Sequence, residues 1–205
     1  MAFPVHSVSK ARVIPWSGYA SRSNAKVRGR ELLLLAFYLL LSFTLSPPVF
    51  AEQLKAGEYQ VKAAFLVNFA NFVQWPDGAL AKETFTIGIL GQDYFGSAVD
   101  SLAGKTVKGR RVIVRRYDDP EDARQADILF ISASERRTLP RILKTLQGRF
   151  ILTVGDSEDF GHSGVMINML LLRKRVGFDI NLIAAHREGL RISSHLLKLA
   201  QEVIE

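Results

Sequence analysis

The chain has 205 residues, 27 Lys and Arg, 20 Asp and Glu, a formal net charge of +7 and no cysteine. Six basic residues and one acidic residue lie in positions 1–51, leaving 21 basic and 19 acidic groups beyond Ala51. A net +2 over that stretch is no electrostatic footprint for DNA or RNA, and the lack of thiols excludes cysteine catalysis, thiolate metal sites and disulfide-based redox sensing.

The run Leu32 to Leu45 has the length of a signal-peptide apolar segment and falls short of the roughly 20 residues of a confident membrane span. Lys10, Arg12, Arg22, Lys26, Arg28 and Arg30 precede it, Pro47-Pro48 breaks it, and Val49-Phe50-Ala51 suits signal peptidase. The expectation is a cleaved signal peptide over 1–51 and a single domain over 52–205. The alternative is a retained N-terminal anchor, with the run extended through Val49. The leader is unusually long, and a start near Val27 would give it ordinary proportions.

The 154 residues after Ala51 suit one compact core. Tyr59 to Trp75 carries apolar residues at Val61, Phe65, Phe69 and Phe72, widened by Ala64, Leu66 and Val73, which predicts a largely buried helix stopped by Pro76-Asp77-Gly78. Phe85 to Leu90 reads as a strand buried on both faces, and Phe95 to Leu102 as a short helix. The rhythm repeats with strands at 111–115, 128–131 and 150–154, a short helix or turn over 120–126 and a helix over 138–146. Strands separated by helical segments imply right-handed βαβ units and a mostly parallel sheet.

After Gly155 to Gly164, Val165 to Leu171 and Arg175 to Ile180 read as adjoining strands joined through Leu172 to Lys174. The predicted fold is therefore α/β, a mostly parallel sheet flanked by helices with an antiparallel hairpin at one edge. Leu182 to Arg187 reads as a helix closed by Gly189. Ser193 or Ser194 is expected to cap a last helix from His195 to Ile204, with Leu196, Leu199, Ala200 and Val203 facing the core.

Signals for chemistry are weak. Gly88, Gly91 and Gly96 lack the spacing of a dinucleotide fingerprint and read as turn glycines. Gly155-Asp156-Ser157 has a serine that a base such as His162 could activate, but a strand-exit loop is the better reading, since an esterase needs an oriented base and an oxyanion hole that the sequence does not locate. His162 beside Asp156, Glu158 and Asp159 matches no metal loop, and His186 and His195 are nine residues apart, too far for a helical pair. No catalytic residue, metal site or cofactor is expected. Phe72, Trp75, Tyr94, Phe95 and Phe160 border loops, where they serve either partner binding or the core.

Tyr59-Gln-Val-Lys-Ala-Ala-Phe-Leu-Val-Asn-Phe-Ala-Asn-Phe-Val-Gln-Trp-Pro76 resembles the opening helix of the YfiR-like periplasmic proteins. Gly164-Val-Met-Ile-Asn168 is similar to a later motif of the same family. The block Arg175-Val-Gly-Phe-Asp-Ile-Asn-Leu-Ile-Ala-Ala-His-Arg-Glu-Gly-Leu-Arg-Ile-Ser-Ser-His-Leu-Leu-Lys-Leu-Ala200 is the strongest match. The resemblance implies an exported, non-enzymatic α/β protein that can dimerise. Its partner would be the periplasmic domain of an inner-membrane diguanylate cyclase or sensor kinase, whose output the protein represses, lowering cyclic-di-GMP and with it biofilm formation. Two departures stand out: the founding type's cysteine chemistry is impossible here, and the hairpin turn carries Leu172-Arg173-Lys174 where relatives often have glycine. For the contact surface the residues of choice are Asn68, Phe72 and Trp75 with Arg191, Ser193 and Ser194. The competing functions are a periplasmic small-molecule binder that delivers or senses a solute, since open α/β sheets bind ligands beyond strand C-termini, and a hydrolase using Ser157 and His162.

Overall fold

The computed structural model describes residues 49–205, with side chains from Ala56, together with Leu34 and Phe37. The expected leader lies outside the described residues apart from those two positions and its last three residues. Among the described residues no helix is long and apolar enough to cross a membrane.

Helix α1 (Val49–Phe72) lies on one face of an eight-stranded sheet. Its buried stripe is Tyr59, Ala63, Leu66, Phe69 and Ala70, spaced by three and four residues as a 3.6-residue repeat requires. Val61, expected in that stripe, is 46% exposed, because it lies across the helix from Tyr59 and Ala63. The helix stops at Phe72, before the proline, because the next two residues form a strand, β1 (Val73–Gln74).

The main strands are β2 (Thr84–Leu90), β4 (Arg110–Tyr117), β5 (Ile128–Ile131), β6 (Leu152–Gly155), β7 (Ile167–Leu172) and β8 (Arg175–Asn181). Short strands β3 (Thr106–Val107), β9 (Arg191–Ile192) and β10 (Val203–Ile204) complete the set. Sheet order is β10-β8-β7-β6-β5-β2-β4-β3, and the central run β4-β2-β5-β6-β7 is parallel throughout. This is the doubly wound order in which the first parallel strand is central and the chain switches direction between β2 and β5. Helix α2 (Ser97–Asp100) packs on the α1 side, and α3 (Leu139–Leu146) covers the opposite face with its own apolar cluster. After β8 come α4 (Leu182–Arg187) and α5 (Ser194–Leu197).

The α/β expectation holds, the hairpin included, with one addition. The β7–β8 hairpin forms at one end of the sheet, with the two-residue turn Arg173–Lys174 and Leu172 paired to Arg175 inside the ladder. A second antiparallel pair, β3–β4, closes the other edge. The last helix is the main correction. Ser193 caps it, with its Oγ accepting the Leu196 N–H at 3.3 Å, but it ends at Leu197 and Leu199 is 54% exposed. Val203 and Ile204 are instead a strand parallel to β8, because the outer edge of β8 offers an unpaired ladder and β-branched residues favour filling it.

Candidate interaction surface

Two segments more than a hundred residues apart form one corner. Strand β1 pairs antiparallel with β9, Val73 opposite Ile192 and Gln74 opposite Arg191. The Ser193 N–H donates to the Phe72 carbonyl at 2.9 Å, and the rings of Phe72 and His195 lie 5.3 Å apart. Trp75 is fixed at both ends of its indole: Nε1 donates to the Phe150 carbonyl at 2.9 Å, and the ring meets Phe85 edge-on at 5.7 Å.

Of the six residues chosen from the sequence, Phe72, Trp75 and Ser193 are half-buried here, and Arg191 and Ser194 are exposed beside them. Asn68 is exposed one helical turn before Phe72. Among the described residues Arg191 has no ion pair. Half-exposed aromatic rings beside a guanidinium and hydroxyls are the kind of groups that bind a partner. The other loop-bordering aromatics belong elsewhere: Phe95 and Phe160 are buried in the two apolar clusters, and Tyr94 packs its ring 5.6 Å from Tyr59.

A polar cluster at the C-terminal ends of the strands was not legible in the sequence as a unit. Tyr59 donates its hydroxyl to Asp156 Oδ2 at 2.6 Å, and Lys62 Nζ donates to the same oxygen at 2.8 Å. Lys62 also pairs with Glu58 at 2.5 Å and lies 4.3 Å from the Tyr59 ring centroid. The Lys62 and Asp156 side chains are 4% and 2% exposed. Burial, reinforced by the hydrogen bond to Asp156, pushes the Tyr59 phenol far up, so it stays a neutral donor. The available signal was a lysine three residues after a tyrosine, on the same side of the helix as the apolar stripe.

Beside this cluster lies Ser157, the serine of the hydrolase alternative. Ser157 Oγ accepts from Arg136 Nε at 3.2 Å and Nη2 at 2.8 Å, so its partner is a guanidinium that cannot take a proton. His162 faces Glu202 at 3.4 Å. Among the described residues no group of three His, Asp or Glu side chains could hold a metal ion.

The crevice between β2 and β5, where a sheet of this order accepts ligands, is filled by the chain itself. Gly91, at φ +85°, faces Glu135 so closely that an added Cβ would sit 2.8 Å from Oε1. The Gln92 N–H donates to Ser134 Oγ at 3.0 Å across the same gap.

A family profile described as YfiR/HmsC-like matches residues 59–201. Among solved structures, a conserved domain protein from Vibrio cholerae O1 biovar El Tor aligns with a TM-score of 0.50 and 10% identity, covering 69% of this chain and 59% of that one. An ABC domain in complex with L-Trp from Streptococcus pneumonia aligns at 0.49 and 13% identity, covering 69% and 60%. This chain thus spans about 60% of the length of either structure. The first likeness establishes an α/β fold shared with that protein.

Proposed function

We propose that this chain, which belongs to the YfiR/HmsC-like family, is an exported, non-enzymatic regulator that represses an inner-membrane diguanylate cyclase, or a related sensor, by docking on its periplasmic domain. Membership supports a periplasmic signalling role linked to cyclic-di-GMP. The docking surface is the corner made by Asn68, Phe72, Trp75, Arg191, Ser193 and Ser194. The observation that carries this reading is the β1–β9 pairing, which brings the ends of the two blocks that resemble the family, 59–76 and 175–200, together at one partly exposed corner.

Export follows cleavage after Ala51, from a start near Val27, and the mature protein dimerises as its relatives can. Repression then requires that the docked protein bind the inactive conformation of the membrane partner better than the active one. Deleting the chain is expected to raise cellular cyclic-di-GMP, and the rise should vanish in a strain that also lacks the cyclase. Restoring the chain with Phe72→Ala and Arg191→Glu should leave the level high while the purified variant melts as a folded protein. An unchanged level on deletion sinks the repressor reading. Full repression by the double variant sinks the surface. The small-molecule reading keeps one supporting observation, a cavity under α3 and α4.

A further inference from the structure

Helices α3 and α4 stand over the entry ends of β6 and β7 and leave a cavity of about 230 Å³ between them. Its apolar wall is made by Leu143, Leu146, Ile151, Met166 and Ala184, of which the last four are each less than a tenth exposed, and polar residues complete the lining. Such a volume is below the 300–1,000 Å³ of drug-sized pockets and accommodates roughly ten non-hydrogen atoms.

Polar groups on the lining set what the chamber can hold. Lys144 and Arg187 stand exposed on its lining, and among the described residues neither has an ion pair. Each lies in the last turn of its helix, where a cation is favoured anyway, but a helix end does not require an apolar chamber behind the charge. The acid on the lining, Glu188, is already engaged, its Oε2 accepting the Gly148 N–H at 2.6 Å. Inside, Thr153 is 3% exposed and its Oγ1 accepts the Met166 N–H at 3.1 Å, so the hydroxyl proton remains to be donated.

We infer that this cavity binds a small carboxylate with an apolar tail, the tail against Leu146, Ile151 and Met166 and the carboxylate between Lys144, Arg187 and the Thr153 hydroxyl. Occupancy reaches the docking corner through one loop. Gln147 and Ile151 line the cavity, and Phe150 between them holds the indole of Trp75 by its carbonyl. Phe150 is a bulky residue at φ +57° and 40% exposed, a conformation that persists only where its surroundings impose it. Its ring also lies 3.7 Å from the place a Cβ on Gly189 would take, on the link from α4 to Arg191. A ligand that moves the 147–151 loop therefore moves Trp75, and this coupling rests on the docking proposal, whereas the binding does not.

The test uses the purified full chain, nitrogen-15 labelled, with benzoate as the probe and benzyl alcohol as its neutral counterpart. Benzoate is expected to shift amides of 143–151 and 184–188 saturably, with a Kd of about 1 mM for so small a ligand. The Trp75 indole N–H, identified by its loss in Trp75→Phe, should move along the same curve. Benzyl alcohol should bind about five-fold or more weakly. Lys144→Gln with Arg187→Gln, both exposed, should remove that preference without changing the melting temperature. Filling the chamber with Ala184→Leu should weaken both probes. No saturable shift up to about 20 mM, equal affinity for the two probes, or shifts confined to another region each overturn the proposal. Because no partner is present, such a failure leaves the docking surface untouched. Binding that leaves the Trp75 indole unmoved overturns the coupling alone.

Discussion

The two ends of the parallel sheet are built on opposite terms. At the C-terminal ends, where α/β sheets usually receive ligands, the chain meets its own polar groups: Tyr59 and Lys62 close on Asp156, Arg136 closes on Ser157, and Glu135 lies against Gly91. At the N-terminal ends, Trp75, Phe150 and Arg191 stay partly or fully exposed and a cavity remains under α3 and α4. Helix α1 links them, its Tyr59 turn at Asp156 and its last turn leading to the Phe72–Trp75 corner. The difference teaches that the end at which such a topology usually receives ligands is the filled one in this chain, and the opposite end is the one with groups to spare.

The largest expected effect comes from opening the closed end. Lys62→Met leaves the Asp156 carboxylate buried with only the Tyr59 hydroxyl, and its Oδ1 already lacks a partner. The expected loss is about 3–5 kcal/mol, read as a lower urea midpoint. Adding Asp156→Asn should recover more than half of that loss, since the stranded charge is then gone. A loss under about 1 kcal/mol for Lys62→Met would mean that water reaches the pair and that this end is less closed than its geometry indicates.

That pair also marks the limit of what the sequence disclosed. The strand at Ile128–Ile131 and the helix at Leu182–Arg187 were legible to the residue, because short apolar runs bounded by turn formers have one economical reading. The α1 stripe was misplaced by Val61, since apolar residues occur on every side of the helix from Tyr59 to Phe72 and composition alone cannot say which side faces water. The final helix failed for a tertiary reason: Val203 and Ile204 suit either state, and the free edge of β8 decided it. For the surface, the two blocks were legible as motifs, but their meeting depends on a two-residue ribbon that leaves no periodic signal. Asp156 and its two partners on α1 are 94 and 97 residues away, beyond any local pattern.

The next effect has the opposite sign and concerns the hairpin beyond the closed end. Strand β7 pairs with β6 only through Ile167 and Asn168, so Met169 to Leu172 run on past it for about 13 Å at ~3.3 Å per residue. The turn places Arg173 and Lys174 at φ +48° and +66°, where Asn-Gly would sit without steric conflict. Arg173→Asn with Lys174→Gly is expected to stabilise the fold by about 1 kcal/mol, a rise of about 3 °C in Tm. A fall would show that the two basic side chains make contacts that outweigh the strain.

The smallest effect separates burial from charge crowding at the same end. Burial, then the nearby Glu202 carboxylate, raises the Asp179 pKa above the usual carboxylate value, while the Glu202 N–H and His162 act in the other direction. For an acid whose folded pKa lies above its unfolded one, the folded state holds its proton more tightly, so stability is greatest below the unfolded value and is lost as pH rises through the folded one. Asp179→Asn keeps an oxygen for the Glu202 N–H but never ionises. It should therefore be more stable than the parent at pH 7, by about 0.5 kcal/mol or less for a partly exposed group. The advantage should shrink on acidification and vanish below about pH 3.9. Parallel urea midpoints for parent and variant from about pH 4 to 7 would mean that Asp179 ionises as freely as in the unfolded chain, with Glu202 swung out to solvent. Glu202→Gln distinguishes the two causes: it should reproduce only the part due to charge, leaving the larger share, due to burial, in place.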